Sequence, residues 1–194
     1  TIHSISKMIT ISVFFTLLFV IQIKTQNTFY TGVNLAGLEF GEGAKPGIAG
    51  QNYAIPTTQE VDYFVGKGMN IFRLPFLWER LQPQSKGSFT QSYFNYIDSF
   101  VDYVTKVKKA TVVLDPHNYA RYYGALVQGP ELADLWTKLA NLYKNNNLVI
   151  FGLMNEPYDM LTSNWLSAAN QAIAAIRQTG ATNLILVPGN AWTG

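Results

Sequence analysis

The segment Leu148–Asp159 reads LVIFGLMNEPYD and joins an apolar run to an Asn-Glu-Pro sequence. A short, nearly continuous apolar run is typical of a parallel strand that is covered on both faces. Pro157 ends such a strand, and the residue before a proline favours extended backbone. We therefore expect Glu156 to be extended at the strand's carboxyl end, where a carboxylate beside apolar neighbours is a candidate general acid. The alternative is an ordinary polar turn after a core strand.

Four other segments have the composition of strands: Tyr30–Gly37, Met69–Phe76, Thr111–Leu114 and Asn183–Val187. Helices are predicted between the strands. The first begins at a capping box formed by Thr57 and Glu60, and the others lie at about Gln91–Lys109, after Gly129-Pro130, and at about Ser163–Thr179. This alternation predicts right-handed βα units on a parallel sheet.

Polar or aromatic side chains follow every predicted strand: Asn34, Arg73, His117, Asn118, Asn155, Glu156, Asn190 and Trp192. A doubly wound sheet binds its ligand at one switch point, usually after a glycine-rich turn. The glycines of Leu38–Gly50 lack the spacing of a nucleotide loop, so we predict a lid or rim there. A barrel instead spreads its functional residues over many strand ends. We therefore predict an α/β fold, a (β/α)8 TIM barrel truncated after about strand five, with a complete small flavodoxin-like domain as the alternative.

The composition fits one globular domain and argues against several classes of function. The chain has 194 residues, 48% of them hydrophobic, and a formal net charge of +2. This weak charge gives little support to nucleic-acid binding. The absence of cysteine excludes disulfides and thiolate zinc sites, and His3 and His117 are the only histidines. We predict neither a metal nor a cofactor.

The amino-terminal segment has the pattern of a secretion signal. Ile9–Ile23 is apolar and uncharged, which is short for a membrane span but suits the apolar core of a signal peptide. We expect residues 1–26 to form this signal, with residues 1–7 as upstream sequence if translation starts at Met8. The mature protein is then secreted, without stable membrane association. An uncleaved membrane anchor is the alternative.

Five segments together resemble glycoside hydrolase family 5, in particular its secreted endo-1,4-β-glucanases, the cellulases: Gly32–Asn34, Ile71–Phe76, Leu114–Tyr119, Met154–Pro157 and Val187–Trp192. They follow the family's order and spacing from about Asn27 to the end of the sequence. The resemblance implies that residues 27–194 are the amino-terminal part of a glycoside hydrolase catalytic barrel. It also implies a β-glucan substrate, no cofactor and a monomer.

The resemblance implies a role for individual residues as well. Glu156 is expected to be the acid/base catalyst, and Asn155 to hold the sugar's 2-hydroxyl at the cleavage site. Arg73 is expected to orient and ionise the catalytic carboxylates, while His117 hydrogen-bonds the sugar or supports the nucleophile. The substrate-binding residues are then Arg73, His117, Asn118, Asn155 and Trp192. The family's nucleophile is a glutamate at the end of strand seven, beyond Gly194, so we expect a retaining enzyme at full length and an inactive fragment.

Several aromatic rings follow the predicted strand ends, where they can stack on the flat faces of glucose units. Trp192 is the leading candidate, ahead of Tyr119, Tyr122, Tyr123 and Trp78. The leading interpretation is cleavage of internal β-1,4-glucosidic bonds of cellulose or related glucans. A mannanase or a β-1,3-glucanase on the same barrel is the nearest alternative. A non-catalytic glucan-binding relic is the alternative if the chain truly ends at Gly194.

Overall fold

The structure is a computed structural model that describes residues 29–193. The predicted signal segment, residues 1–26, lies outside the described residues. Within the described range, no helix is both long and apolar enough to cross a membrane.

A five-stranded parallel sheet forms the centre of the molecule, with a small antiparallel hairpin beside it. In chain order the strands are β1 Gly32–Asn34, β2 Ile71–Phe76, β3 Thr111–Pro116, β4 Arg121–Tyr122, β5 Ala125–Leu126, β6 Val149–Gly152 and β7 Ile185–Leu186. The sheet order is β1-β2-β3-β6-β7, and every neighbouring pair is parallel. Strands β4 and β5 form the hairpin. The order confirms the predicted succession of βα units, because each new strand adds next to the previous one.

Within residues 29–193, five α-helices connect and cover the strands: α1 Thr58–Gly66, α2 Trp78–Leu81, α3 Gln91–Asp102, α4 Gly129–Tyr143 and α5 Thr162–Gln178. The predicted capping box is confirmed, because Thr57 Oγ1 accepts from the Glu60 amide at 3.2 Å and the Glu60 carboxylate accepts from the Thr57 amide at 2.7 Å. Pro130 lies in the first turn of α4, where its missing N–H costs nothing.

The core lies between the sheet and the helices. Strands β3 and β6 are buried along their whole length, as expected for a parallel sheet with both faces covered. Trp136 of α4 packs against Phe151 of β6 with ring centroids 5.4 Å apart, and its indole N–H donates to the Leu153 carbonyl at 3.1 Å. These contacts fix α4 beside the end of β6, directly before Asn155.

Two elements of the structure are absent from the sequence prediction. Helix α2 has only four residues and the strands of the β4–β5 hairpin only two each, which is too short to give a periodic pattern. The predicted helix Gln91–Lys109 is also interrupted, because α3 ends at Asp102 and a π-helical turn follows at Tyr103–Val107. There the Thr105 hydroxyl donates to the Val101 carbonyl at 2.8 Å, a bond that disturbs regular helix geometry.

Candidate active site

Arg73 ties together residues from four parallel strands at one edge of the sheet. Its Nη1 donates to Asn34 Oδ1 at 2.8 Å and its Nη2 to Asn155 Oδ1 at 2.6 Å. The same Nη2 lies 2.7 Å from Asp115 Oδ2 in an ion pair. Asn34, Arg73, Asp115 and Asn155 lie in or just after β1, β2, β3 and β6. Arg73 itself lies within β2, and its charge is paired with the carboxylate of Asp115.

Asp115 is the centre of this network, and the sequence prediction gave it no role. Its carboxylate is buried, with 4% of the side chain exposed, and it also meets His117 Nδ1 at 3.0 Å. A proton on Nδ1 that is donated to Asp115 leaves Nε2 as the acceptor on the cavity side, where the Tyr119 hydroxyl lies 3.4 Å away. The spacing Asp-Pro-His was the signal available in the sequence, since it places both side chains after one strand. His117 is thus held in one orientation.

Asn155 presents a free donor beside the candidate catalytic carboxyl. Its backbone amide donates to the Pro116 carbonyl at 2.9 Å, and its Oδ1 accepts from Arg73. Its Nδ2 is buried and has no hydrogen-bond partner among the residues that the structure describes. A buried unpaired amide donor costs about 1–3 kcal/mol, so this site is built to receive an acceptor.

Glu156 does not have the extended backbone that was predicted for it. Strand β6 ends at Gly152, and Glu156 has a φ of 37°, in the left-handed region that is uncommon for residues other than glycine. The expectation was wrong because the preference of a residue before proline for extended backbone is only an average. Here the carbonyl of the next residue, Pro157, accepts a hydrogen bond from the Trp192 amide at 3.1 Å. A strained backbone of this kind is common at functional sites.

The Glu156 side chain is half-buried and lies between two cavities. A cleft of about 620 Å³ opens on one side, and a second cavity of about 410 Å³ lies over the sheet on the other. Glu156 lines both of them. No hydrogen bond to its carboxylate is found within residues 29–193. The carboxyl group is therefore accessible to a ligand in the cleft.

Asn118 lines the cleft, but both ends of its side-chain amide already have protein partners. Its Oδ1 accepts from the Trp78 amide at 2.9 Å, and its Nδ2 donates to Glu79 Oε2 at 2.6 Å. The other oxygen of Glu79 accepts from the Tyr123 amide at 2.7 Å. Asn118 is buried, with 5% exposed, so its contacts link α2 to the loop after β3.

One wall of the cleft is aromatic. The rings of Tyr158 and Trp192 are stacked with centroids 4.2 Å apart and an interplanar angle of 7°. Tyr119 contacts both rings edge-on, at 6.1 Å from Tyr158 and 6.3 Å from Trp192. Trp192 is 53% exposed, which suits the stacking role proposed for it. Tyr158 was not among the predicted aromatic residues, because it follows Asn-Glu-Pro in what reads as a turn.

The three other aromatic candidates lie elsewhere. Trp78 is fully buried and cannot stack on a ligand in this structure, so the prediction of a stacking role for Trp78 was wrong. It follows a strand, as predicted, but it belongs to helix α2 and packs against Tyr122 with centroids 4.9 Å apart. The Tyr122 hydroxyl donates to the Gln82 carbonyl at 2.6 Å. Tyr123 is 52% exposed, and the Lys45 ammonium lies 5.7 Å from its ring centroid.

The opposite wall is the glycine-rich segment, which is held by Arg80. This side chain is 1% exposed and donates to four backbone carbonyls of the segment, those of Leu38, Gly41, Ala44 and Pro46, at 2.7 to 3.1 Å. Its guanidinium also lies 4.4 Å from the Tyr53 ring centroid. The segment contributes Glu42, Gly43 and Lys45 to the cleft. The predicted rim is confirmed as a wall.

Several carboxylates lie around Tyr119, which lines the cleft. The pKa of Tyr119 is raised above its usual value, first by burial and then by the carboxylates of Glu156, Glu42, Glu39 and Asp115. In the part of the chain that the structure covers, no group of three or more His, Asp or Glu side chains is arranged to hold a metal ion. The carboxylates are thus spread around the cleft rather than gathered at one point.

Comparisons with known proteins agree with this architecture. The family model described as Cellulase (glycosyl hydrolase family 5) matches residues 24–194. A probable endo-beta-1,4-glucanase B of Neosartorya fischeri is 42% identical over 166 residues, which cover 84% of this chain and 50% of that protein. Several further endo-beta-1,4-glucanases match to a similar extent. The chain spans about half the length of the curated relatives that it matches.

Solved structures give the same result. XacCel5A in complex with cellopentaose superimposes with a TM-score of 0.82 at 48% identity, covering 85% of this chain and 54% of that one. Cel5A (EG2) from Hypocrea jecorina superimposes with a TM-score of 0.74 at 31% identity, covering 84% and 55%. The parallel strands are therefore part of a (β/α)8 TIM barrel, as predicted. With its Asn-Glu-Pro segment in the cleft, this chain belongs to the cellulase family, glycosyl hydrolase family 5.

Proposed function

We propose that the protein to which this chain belongs hydrolyses internal β-1,4-glucosidic bonds of cellulose or related β-glucans, with Glu156 as the acid/base. The observation that carries the proposal is the pairing of two neighbours, the accessible carboxyl of Glu156 and the buried, unpaired amide donor of Asn155. A sugar hydroxyl bound to Asn155 Nδ2 brings the adjacent glycosidic oxygen towards Glu156. Proton transfer to that oxygen makes the sugar a better leaving group.

Retention of configuration requires a second carboxyl about 5 to 5.5 Å from the first. Glu79 is unsuited to this task because both of its oxygens accept hydrogen bonds. Asp115 is bound to Arg73 and His117 through Oδ2. We assign the nucleophile to the glutamate that the family resemblance places after strand seven, outside this chain.

The residues around Glu156 have separate roles in binding and in orienting groups. Arg73 supplies positive charge beside the carboxylates and fixes Asn155. His117, oriented by Asp115, offers Nε2 as an acceptor to a sugar hydroxyl. Trp192 stacks on the apolar face of one glucosyl unit. Asn118 acts on the cleft indirectly, through Trp78 and Glu79.

The names of similar proteins favour a β-1,4-glucan over mannan or β-1,3-glucan. Relatives from Neosartorya fischeri and Emericella nidulans are named endo-beta-1,4-glucanases, and XacCel5A was solved with cellopentaose. We further propose secretion, with residues 1–26 as the signal, on the strength of the uncharged apolar run Ile9–Ile23.

The test is a substrate panel with the full-length protein: carboxymethyl cellulose, mannan and β-1,3-glucan. We expect a rapid fall in the viscosity of carboxymethyl cellulose, which reports internal cleavage. NMR of the first product is expected to show the β-anomer before mutarotation. Preferential cleavage of mannan or β-1,3-glucan would reassign the substrate, an α-anomer would refute the retaining mechanism, and binding without hydrolysis would favour the relic.

A further inference from the structure

Arg121 lies beneath the aromatic wall and holds two separate loops together. Its Nη1 donates to the Tyr119 carbonyl at 3.0 Å, in the loop after β3. Its Nη2 donates to the Tyr158 carbonyl at 3.0 Å and lies 3.4 Å from the Asp159 carbonyl, in the loop after β6. No ion pair to a carboxylate is found for Arg121 within the described part of the chain. Its donors are therefore used on backbone carbonyls.

The same guanidinium also stacks on the aromatic wall. Its carbon lies 4.6 Å from the Tyr158 ring centroid, while the Trp192 ring lies parallel to Tyr158 at 4.2 Å. One face of a phenol ring has room for only one group at such distances, so the two partners lie on opposite faces. Arg121, Tyr158 and Trp192 thus form a three-layer stack, with one face of the indole left for a ligand.

The backbone around this stack is strained and requires such support. Tyr119, Asp159 and Trp192 have φ values of 55°, 46° and 64°, all in the left-handed region, which is costly for the bulky side chains of Tyr119 and Trp192. Trp192 itself is tied to the loop after β6 by its amide, which donates to Pro157. The loops after β3, β6 and β7 that carry the wall therefore depend on contacts between them. Arg121 links the first two through its contacts with the Tyr158 and Asp159 carbonyls and with the Tyr158 ring.

We propose that Arg121 is a positioning residue that sets the orientation of the Trp192 ring through Tyr158, and so determines how tightly one glucosyl unit binds. The proposal rests on the proposed function for its ligand, while the orientation of the ring is a property of the protein alone. Lysine is a poor replacement because its compact ammonium lacks the planar guanidinium, which donates within its plane to carbonyls of two loops while its face lies on a ring.

The first experiment measures kinetics of the full-length enzyme on a cello-oligosaccharide. We expect KM to rise about threefold for Arg121→Lys and about tenfold for Arg121→Met, which is the scale of one lost cation–π contact with its hydrogen bonds, while kcat falls by less than about twofold. Arg177→Lys is the matched control. Arg177 also donates to two carbonyls, those of Ala181 and Asn183, at 3.0 and 2.9 Å, but it lies at the end of α5.

A double-mutant cycle separates this role from a general structural one. If Arg121 acts through Trp192, Arg121→Met should change KM by less than about twofold in a Trp192→Ala background. An equal effect of Arg121→Met with and without Trp192 would overturn the proposal, since Arg121 would then act on the substrate or on the fold by another route. An unchanged KM in the single variants would overturn it as well.

A measurement without substrate tests the ring directly. In full-length protein labelled with 5-fluorotryptophan, the Trp192 fluorine signal is identified by its loss in Trp192→Phe. We expect this signal to shift or broaden in Arg121→Met and to stay in place in Arg177→Lys. An unmoved signal in Arg121→Met would overturn the proposal. If the full-length protein neither binds nor cleaves β-1,4-glucan, the proposed function fails, and the fluorine signal still decides the role of Arg121.

Discussion

The side-chain oxygen of Asn155 accepts a 2.6 Å hydrogen bond from Nη2 of Arg73, a residue 82 positions earlier in the chain. Because guanidinium groups only donate, this bond fixes the amide so that its oxygen faces Arg73 and its nitrogen faces away. The donor that remains is the buried Nδ2. The arginine thereby determines which kind of group Asn155 can bind, namely an acceptor such as a hydroxyl oxygen.

Replacement of Arg73 by lysine should disturb both Asn155 and Asp115. A lysine keeps the charge but cannot reach the acceptors on both sides with the planar fork of arginine. In full-length Arg73→Lys we expect kcat/KM on carboxymethyl cellulose to fall about 100-fold, the scale of a misplaced catalytic group. Arg177→Lys is the control and should stay within about twofold. Full activity in Arg73→Lys would show that Asn155 does not need this partner.

The change Glu156→Gln tests the acid/base role. Glutamine has nearly the same shape but no proton to transfer, so hydrolysis of unactivated glucan should fall by at least about 100-fold, while the dissociation constant for a cello-oligosaccharide should change little. A dinitrophenyl cellobioside, whose leaving group needs no proton, should still release its phenol in a burst. Asp159→Asn is the matched control, since it is an exposed carboxyl three residues later. Wild-type hydrolysis in Glu156→Gln would remove Glu156 from the mechanism.

Asn118→Ala separates a structural role from a substrate contact. The change leaves the Trp78 amide and the buried Glu79 carboxylate without their partner, so the free energy of unfolding should fall by about 2–4 kcal/mol in urea denaturation. Asn141→Ala, on the exposed face of α4, should stay within about 0.5 kcal/mol. Unchanged stability together with weaker binding of cello-oligosaccharide would instead restore the direct contact that the resemblance implied.

Alkaline pH should destabilise the fold through its buried tyrosines. Burial raises the pKa of Tyr143 well above its usual value. Asp98 accepts a hydrogen bond from the Tyr143 hydroxyl at 3.0 Å and raises this pKa further. Burial also raises the pKa of Tyr93. A raised pKa in the folded state means that the unfolded chain loses its proton first, near pH 10. Stability is therefore fully present below about pH 10 and falls as the pH rises beyond it.

The variant Tyr143→Phe isolates one part of this effect. It should lower stability at pH 7, because a buried hydrogen bond is lost, but reduce the slope of stability against pH between about pH 10 and 11.5. The control is Tyr63→Phe, at a position that is 60% exposed. A slope in Tyr143→Phe equal to that of the wild type would mean that this hydroxyl does not contribute to alkaline unfolding.

The sequence predicted the parallel order and the presence of the five sheet strands well, because apolar runs and the capping box at Thr57 depend on local chemistry. It could not predict that Trp78 is buried or that α2 exists, since four residues after a strand carry no periodicity. The φ of Glu156 and the stack of Tyr158 on Trp192 depend on contacts between loops from different strands. Such long-range contacts override local preferences, which is why Asp115 and Tyr158 were missed and the arrangement of the other site residues could not be predicted.

Helix α2 limits where the two walls of such a cleft can change in length during evolution. Its neighbouring residues Glu79 and Arg80 anchor opposite walls of the cleft. Glu79 holds the loop after β3 through Asn118 and Tyr123. Arg80 holds the glycine-rich segment through four backbone carbonyls. A longer or shorter wall can therefore evolve without disturbing Glu156 only if these hydrogen bonds are kept, as with insertions between the bonded carbonyls near Gly43 or after Tyr123 near Gly124. Loop grafts that replace a whole wall, by contrast, must bring their own partner for Glu79 or Arg80.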